Sequence, residues 1–204
     1  MNSNPDVSII ITNYNYEKYI SRAIRSCINQ KNVNHEVIVI DDCSTDNSIN
    51  VIRPFGNQIR IIKTRENSGV AAASNAGVAA ARGQFFIRVD ADDFVNKHFL
   101  EILRYYLDSN PLSDAVACDY YLLDDKEEVI ERMNCKKDPI ACGIMFKRQQ
   151  MLDIGLYDEK FLFQEEKEFR IRFEKKFKIE RIALPMYRYR MHDKNITKNI
   201  EQMD

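Results

Sequence analysis

Short apolar runs alternate with amphipathic stretches along the first part of the chain. The runs are rich in β-branched residues, which is typical of strands buried on both faces. They cover residues 7–12, 36–40, 59–63 and 85–89. Helices are predicted between them, at residues 19–30, about 44–52 and 69–81. The alternation predicts βαβ units and a mainly parallel sheet with helices on both faces.

The second part is less regular. Helices are predicted at residues 99–107 and 164–176, and strands at residues 115–123, 140–146 and 186–191. The charge-rich stretch 124–137 predicts a hairpin or a mobile loop. We expect one α/β domain over residues 1–204, with a regular half at about 1–95 and a less regular half at about 96–204.

Composition excludes several classes of protein. The 204 residues include 30 basic and 31 acidic side chains, and this balance argues against a nucleic-acid binder. The five cysteines show no C-x-x-C spacing, so reduced thiols and a cytoplasmic location are expected. No window has the length and apolarity of a membrane span, and the amino terminus lacks the pattern of a signal peptide.

Polar residues follow three of the predicted strands. Thr12 and Tyr14 come after the first strand, Asp41 and Asp42 end the second, and Asp90-Ala91-Asp92-Asp93 ends the fourth. In open parallel sheets, ligands bind beyond the carboxyl ends of the strands. The sequence therefore predicts one site to which all three strand ends contribute.

Carboxylates crowded at a strand end predict a hard cation such as Mg²⁺ or Mn²⁺, which would also hold a diphosphate. An acidic surface turn is the alternative. An aspartate at position 42 could accept hydrogen bonds from a nucleobase or a ribose, or it could cap the next helix. Tyr14 could stack on a base or simply pack. His192 could be a metal ligand or a structural histidine.

Glu165 and Glu166 open a predicted helix whose apolar face carries Phe169 and Phe173. Glu166 lies three and seven residues before these phenylalanines, so we expect it to point to the same face. The helix amino terminus and Arg170 should favour its ionised form. A carboxylate facing a cleft is a candidate general base, and a simple pair with Arg170 is the alternative.

These motifs, in this order, resemble family 2 glycosyltransferases of the GT-A fold over nearly the whole chain. The opening strand with Asn13-Tyr14-Asn15, the strand ending in Asp41-Asp42, and Asn75-Ala76-Gly77 are similar to the family's nucleotide-binding half. Asp90-Ala91-Asp92 resembles its D-x-D motif. Gly155-Leu156-Tyr157-Asp158-Glu159, followed by Glu165-Glu166, resembles its acceptor-side motif.

The resemblance implies a Rossmann-like GT-A fold, with a nucleotide-sugar-binding half at about 1–95 and an acceptor-side half at about 96–204. It also implies transfer of a sugar, with inversion, from a nucleotide-sugar donor. Nucleotide-binding residues would be Thr12, Tyr14, Asp41, Asp42, Asn75 and Asp90. Asp92 and His192 would bind Mn²⁺ or Mg²⁺, and Glu166, or its neighbour Glu165, would be the catalytic base. The donor is usually linked to uridine diphosphate in this family. The acceptor would be a glycan or a lipid-linked saccharide in surface polysaccharide synthesis.

Two departures from the family pattern concern the site. The acidic pair is usually Glu-Asp, and Ser74 stands where arginine often precedes Asn75. The Q-x-x-R-W motif of processive synthases is absent, which favours single additions. Basic residues in and just after the last predicted helix could touch an anionic membrane surface, or they could form a solvated helix face; they are Arg170, Arg172, Lys175, Lys176 and Lys178.

Three other functions are compatible with an α/β fold. A sugar-nucleotide pyrophosphorylase should have a glycine-rich basic loop after the first strand, and a Rossmann dehydrogenase should have G-x-G-x-x-G there. Residues 12–15 match neither pattern. A non-catalytic module that binds a nucleotide sugar stays open as an alternative to the enzyme.

Overall fold

A nine-stranded sheet runs through the computed structural model, which describes residues 4–161, 164–193 and 195. Its strands are β1 (Val7–Asn13), β2 (His35–Asp41), β3 (Arg60–Lys63), β4 (Phe85–Asp90), β5 (Phe94–Val95), β6 (Ala115–Leu123), β7 (Val129–Met133), β8 (Ile144–Lys147) and β9 (Ile179–Arg190). The α-helices are α1 (Ile20–Ile28), α2 (Ser48–Ile52), α3 (Gly69–Ala80), α4 (Phe99–Ser109), α5 (Arg148–Ile154) and α6 (Glu165–Glu174). A 3₁₀ helix at Arg53–Gln58 follows α2.

The first four strands form a parallel block in the order β3-β2-β1-β4. Every residue of β1 is buried, because helices cover both faces of this block. The predicted strands match the observed ones to within one residue at each end, and the α/β class with a mostly parallel sheet is confirmed. Apolar β-branched runs bounded by polar residues leave little freedom in where such strands begin and end.

Two glycines allow close packing around β1. A side chain at Gly77 of α3 would place its Cβ 2.4 Å from Ile10, and one at Gly83 would come within 2.7 Å of the backbone nitrogen of Ser8. Helix α3 ends at Ala80, and Gly83 lies beyond it, where the absence of a side chain allows the close approach to β1.

The remaining strands extend the same sheet in the order β4-β8-β6-β9-β5. Strand β8 is antiparallel to both β4 and β6, whereas β6 and β9 are parallel. Strand β7 folds back on β6, so the charge-rich stretch 124–137 does form the predicted hairpin. One continuous sheet therefore joins the two halves of the chain.

Several predictions for the second half were wrong in detail. Strand β8 begins at Ile144 rather than at residue 140, after Gly143 with a φ of +74°. Strand β9 begins at Ile179 rather than at residue 186, and its register with β6 shifts next to Pro185. Proline is tolerated in strands at such irregular positions. Neither β5 nor α5 was predicted.

Three features of the described residues concern the cysteines, the length of the helices and the basic residues near α6. All five cysteines lie in the described residues, where they are free thiols. No helix among the described residues is long and apolar enough to cross a membrane. One residue of the predicted basic surface on α6 is engaged within the protein. The Arg172 guanidinium donates to Glu168 and to the carbonyl oxygens of Ile154 and Gly155.

Candidate active site

Three parallel strands end side by side and bring the predicted polar residues to one edge of the sheet. Thr12 of β1 lies opposite Asp90 of β4 in the strand register. Asn13 of β1 lies opposite Asp41 of β2. The carboxyl ends of parallel strands form the edge at which α/β proteins bind ligands. The three motifs therefore meet as the sequence predicted.

Asp92 and His192 lie in contact, although 100 residues separate them in the chain. The imidazole Nε2 is 2.9 Å from an Asp92 carboxylate oxygen, and both side chains are buried. Tyr19 stacks on the imidazole with the ring centroids 4.7 Å apart, and Tyr16 meets it edge-on. A carboxylate oxygen and an imidazole nitrogen are both metal ligands, so these residues fit the predicted divalent cation.

Asp93 holds the acidic motif in place from inside the protein. Its carboxylate accepts hydrogen bonds from the Tyr187 hydroxyl at 2.7 Å and from the backbone nitrogen of Arg190 at 2.8 Å. The Arg190 side chain donates to the backbone oxygen of Asp92 at 2.9 Å. Burial, together with the charges of Asp92 and Asp90, raises the pKa of Asp93 well above its usual value. Strand β9 thus fixes the conformation of the loop that presents Asp92.

A second set of possible metal ligands consists of Asp90, Asp93 and Cys142, whose ligand atoms lie within 4.8 Å of one another. Burial raises the pKa of the Cys142 thiol well above its usual value. A protonated thiol is a poor ligand, and Asp93 already accepts three hydrogen bonds, one of them from the Cys142 thiol at 3.8 Å. Asp92 with His192 is therefore the better candidate.

The loop after β1 is held by hydrogen bonds to the loop after β2. The Ser44 hydroxyl accepts from the Asn13 side chain and from the backbone nitrogen of Asn15, each at 3.0 Å. The Asn15 side-chain oxygen in turn accepts from the backbone nitrogen of Thr45 at 2.8 Å. Tyr14 stands out from this loop with 41% of its surface exposed, which leaves its ring available for stacking.

Asp41 and Asp42 have internal partners. Asp41 is fully buried and accepts from the Asn13 side chain at 2.9 Å, so it lies beneath the site and is left out of the nucleotide contacts proposed below. Asp42 accepts from the backbone nitrogens of Ser68 and Gly69, at 3.1 Å and 2.7 Å. Asp42 therefore contacts the start of α3 and not, as in the alternative interpretation, the next helix along the chain.

Asn75 connects the two halves of the chain. Its amide group donates to the Tyr157 backbone oxygen at 2.9 Å and accepts from the Tyr157 backbone nitrogen at 3.0 Å. The same amide nitrogen donates to Glu159 at 2.9 Å. Both amide hydrogens are therefore committed to the loop before α6, which corrects the expectation of a direct nucleotide contact from this group.

The acidic pair is oriented differently from the prediction. Glu165, not Glu166, lies on the buried face of α6 with Phe169 and Phe173. A spacing of i, i+4, i+8 keeps these three residues in one row, and Glu166 is rotated about 100° away from Glu165. Within the described residues Glu166 forms no ion pair with Arg170.

Glu166 is half-buried and lines a small recess. The other walls of this Glu166 recess include Pro139, Ile140, Phe146, Tyr157, Phe169 and Arg170. Burial, followed by the charge of Glu165, raises the pKa of Glu166 above its usual value of 4.5. The helix amino terminus and Arg170 were expected to favour the ionised form. Desolvation outweighs them, because water is replaced by apolar side chains.

Arg88 was missed by the sequence analysis. It is buried, and its guanidinium lies 3.1 Å from an Asp90 oxygen and 3.0 Å from a Glu165 oxygen. The same group donates to the hydroxyl of the buried Ser74 at 3.3 Å. A charged residue inside the apolar run 85–89, two positions before Asp90, was the available signal, since alternate residues share one face of a strand.

The sequence profile of glycosyl transferase family 2 matches residues 8–193. The chain belongs to this family. The family 2 match includes both sides of the candidate site, from the loop after β1 to His192.

Curated relatives of this family 2 chain are similar over part of its length. An uncharacterized glycosyltransferase of Haemophilus influenzae is 35% identical over 130 residues, which are 62% of this chain and 40% of that protein. The hyaluronan synthase of Pasteurella multocida is 39% identical over 123 residues, which are 59% of this chain and 12% of the synthase. The chain thus matches less than half the length of these relatives.

Solved structures share the fold. S. aureus TarS (residues 1–349) in complex with UDP-GlcNAc superposes with a TM-score of 0.80 at 21% identity, covering 95% of this chain and 60% of that one. The mannosyltransferase PcManGT from Pyrobaculum calidifontis, in complex with GDP-Man and Mn²⁺, gives a TM-score of 0.76 at 17% identity and covers 95% and 59%. At these identities the likeness establishes the GT-A fold.

Proposed function

We propose that this protein transfers a sugar from a nucleoside-diphosphate sugar to a hydroxyl group of a glycan or lipid-linked acceptor, with inversion at the anomeric carbon. One observation carries the proposal. The Asp92–His192 pair and the acidic pair of α6 adjoin the same sheet edge, because Arg88 contacts both Asp90 and Glu165. A site for a diphosphate and a candidate base therefore adjoin one another.

The donor nucleotide is proposed to lie over the ends of β1 and β4. Thr12 and Asp90 would contact it, and the exposed ring of Tyr14 would stack on the base. Asp42 would shape the nucleoside pocket by holding the loop 64–69. A cavity of about 700 Å³, within the usual range for ligand pockets, is lined by residues 15–19 and His192. Thr12, Tyr14, Asp42 and Asp90 do not line this cavity, so it adjoins the proposed nucleotide position without containing it. The UDP-GlcNAc bound by TarS supports uridine diphosphate as the carrier.

Asp92 and His192 would hold a divalent cation, which supplies positive charge to neutralise the diphosphate and the leaving group. The Mn²⁺ in the complex of PcManGT supports manganese. The protein contributes the geometry of this pair. Asp93 and Arg190 fix the loop around Asp92, and the rings of Tyr16 and Tyr19 confine the imidazole.

Glu166 is proposed as the general base. It would take the proton from the acceptor hydroxyl as the oxygen attacks the anomeric carbon from the side opposite the leaving nucleoside diphosphate. A carboxylate whose pKa is raised toward neutrality is a better base than an ordinary one. The Glu166 recess has apolar walls against which a sugar ring of the acceptor could pack.

The relatives support a role in polysaccharide synthesis. They include the hyaluronan synthase and the chondroitin synthase of Pasteurella multocida and a succinoglycan biosynthesis protein of Rhizobium meliloti. The name of each relative assigns it to the synthesis of a polysaccharide. We propose a surface polysaccharide or its lipid-linked precursor as the acceptor class for this chain.

A panel of nucleotide sugars, each with Mn²⁺, tests the proposal. We expect one donor both to raise the melting temperature and to release its nucleoside diphosphate, and the release to require Asp92 and Glu166. Binding without release, with any saccharide acceptor, would contradict the enzyme and favour the non-catalytic binding module. A donor linked to guanosine rather than uridine would correct the carrier alone.

A further inference from the structure

A buried arginine joins the two motifs of the proposed reaction. Arg88 lies on β4, a strand with neighbours on both sides, and only 3% of its surface is exposed. A guanidinium stays charged at every physiological pH, so its burial must be compensated by anionic partners. It has two, Asp90 at 3.1 Å and Glu165 at 3.0 Å, and they come from opposite sides of the site.

The partners of Arg88 belong to three different elements. Asp90 ends β4, Ser74 lies within α3, and Glu165 is the first residue of α6. The guanidinium also lies 5.9 Å from the ring of Tyr157, whose backbone is held by α3. The Nη1 of Arg88 donates to both Ser74 and Glu165, whereas its Nε meets Asp90 as an ion pair without a hydrogen bond. Moving Arg88 would therefore disturb the acidic motif and α6 together.

The contact with Arg88 also gives Glu165 and Glu166 different surroundings. Glu165 is buried with its charge directed at Arg88. Glu166 lies in the recess, and no ion pair is found for it in the described part of the chain. A base that is already paired with a buried cation is a poor proton acceptor, whereas an unpaired, partly desolvated carboxylate is a better one.

We infer that Arg88 is a positioning residue for sugar transfer: it holds Asp90 and Glu165 with one buried guanidinium and so leaves Glu166 as the carboxylate that meets the acceptor. The inference rests on the proposed function for its catalytic meaning. It also predicts how Arg88 and Glu165 change the pKa of Glu166, which can be measured in the absence of turnover.

The charges around Glu166 predict shifts of opposite sign. Burial raises its pKa most, the charge of Glu165 raises it further, and the charges of Arg88 and Lys167 lower it. Arg170 and Tyr157 line the same recess, and burial raises the pKa of Tyr157 to about 12, so this hydroxyl stays neutral during an assay. Removing Glu165 should lower the pKa of Glu166, and removing Arg88 should raise it.

The test measures kcat/KM as a function of pH in Glu165→Gln, Arg88→Met and the double variant. It compares their acid limbs, that is, the pH below which kcat/KM falls. We expect Glu165→Gln to keep activity within about tenfold and to move the limb about one pH unit lower, and Arg88→Met to move it upward. Arg88→Lys, which keeps the charge but not the guanidinium, should leave the limb in place and lower kcat. If Arg88→Met leaves Glu165 unpaired and fails to fold, the double variant, which removes both charges of the pair, is compared with Glu165→Gln. The difference between their acid limbs then gives the effect of Arg88.

Arg60→Met is the matched control, since Arg60 pairs with Glu36 at 2.8 Å near the opposite edge of the sheet. It should change neither the limb nor kcat. A loss of activity in Glu165→Gln as large as in Glu166→Gln would overturn the inference, as would a limb that stays fixed in all variants.

A carboxyl NMR titration of ¹³C-labelled glutamate separates this inference from the proposed function. The pKa of Glu166, assigned by its absence in Glu166→Gln, should shift in the same two directions without any substrate. If wild-type protein shows no turnover but these shifts occur, the proposed function fails while the charge assignment stands. If turnover occurs and the shifts do not, Arg88 has no electrostatic effect on Glu166 and the inference fails.

Discussion

The proposed donor edge, at the carboxyl ends of β1, β2 and β4, and the proposed acceptor side, around α6, use their polar residues in different ways. At the donor edge, Asp41, Asp42 and Asp93 accept hydrogen bonds from backbone or side-chain donors, and the loops are connected to one another. On the acceptor side, Glu166 lies in an apolar recess with a raised pKa. The difference teaches that an acidic residue near a site is a candidate proton acceptor only when its hydrogen-bonding capacity is not already used by the fold.

Glu166→Gln tests the acceptor side most strongly. We expect kcat to fall about 10²- to 10⁴-fold, because a positioned general base contributes that much, while the melting temperature barely changes. Steady-state transfer and thermal unfolding are the measurements. Glu174→Gln, the same substitution at the exposed end of α6, should be silent. Near-normal transfer by Glu166→Gln would remove the proposed base.

Asp92→Asn tests the donor edge. We expect about a hundredfold weaker donor binding in the presence of Mn²⁺, because loss of a ligand charge weakens the hold on a cation that neutralises the diphosphate. Titration calorimetry with the donor measures it, and EDTA should weaken wild-type binding similarly. Asp153→Asn, at an exposed position outside the site, is the control. Donor binding that resists EDTA would exclude the proposed role of the Asp92–His192 pair.

The pH profile sharpens the contrast. Glu166 must be ionised to act as a base, and its pKa is raised by burial and by Glu165. Activity should therefore be present at neutral pH and fall about tenfold per pH unit below that raised pKa, at a pH higher than an ordinary glutamate would give. The limb should be absent from the residual activity of Glu166→Gln. A limb at the ordinary glutamate pKa would mean that the recess does not desolvate this carboxylate.

Asn75→Ala tests the connection between the two regions. It leaves the backbone groups of Tyr157 without partners, so we expect the free energy of unfolding to fall by about 2–3 kcal/mol in urea titrations. Donor affinity should change less than acceptor KM, since the loop that Asn75 holds leads to α6. The exposed Asn50→Ala serves as the reference. A selective loss of donor affinity would instead support a direct contact between Asn75 and the nucleotide.

The smallest effect is expected from Asp119, a structural carboxylate of the acceptor side. Desolvation raises its pKa, but hydrogen bonds from Arg181, the Cys135 backbone and Arg132 outweigh this and keep it below its usual value. A lowered folded-state pKa adds stability above the unfolded pKa, and this stability is lost as pH falls through the folded value. Asp119→Asn should cost about 1–2 kcal/mol at neutral pH, because the arginines are partly solvated, and nothing at strongly acid pH. An equal cost at both pH values would rule out a charge effect.

The two regions also differ in how well they could be predicted. Strands β1 to β4 were placed to within one residue, since apolar runs buried on both faces carry a strong local signal. Strand β9 was predicted seven residues too short, and α5 was missed. The first part of β9 is only partly buried, and its neighbours β6 and β5 are distant in sequence, so its pattern says little by itself.

The candidate site divides in the same way. The resemblance to family 2 implied Asp92 and His192 as joint metal ligands, and the structure brings them together at 2.9 Å. The orientation of the acidic pair was predicted wrongly, because a spacing of three and a spacing of four are both compatible with one helix face. The partner that decides between them, Arg88, comes from a strand 77 residues away.

The sequence by itself determined the parallel block, the family and the motifs that meet at the sheet edge, because these depend on local apolar patterns and on the order of short segments. Only the tertiary structure decided which polar residues are free to act. Asp41 and Asp42 have partners within the protein, Asn75 holds the loop before α6, and Glu165 pairs with Arg88. The availability of a side chain depends on hydrogen-bond partners that the fold brings from distant segments, and a pattern along the chain carries no record of them.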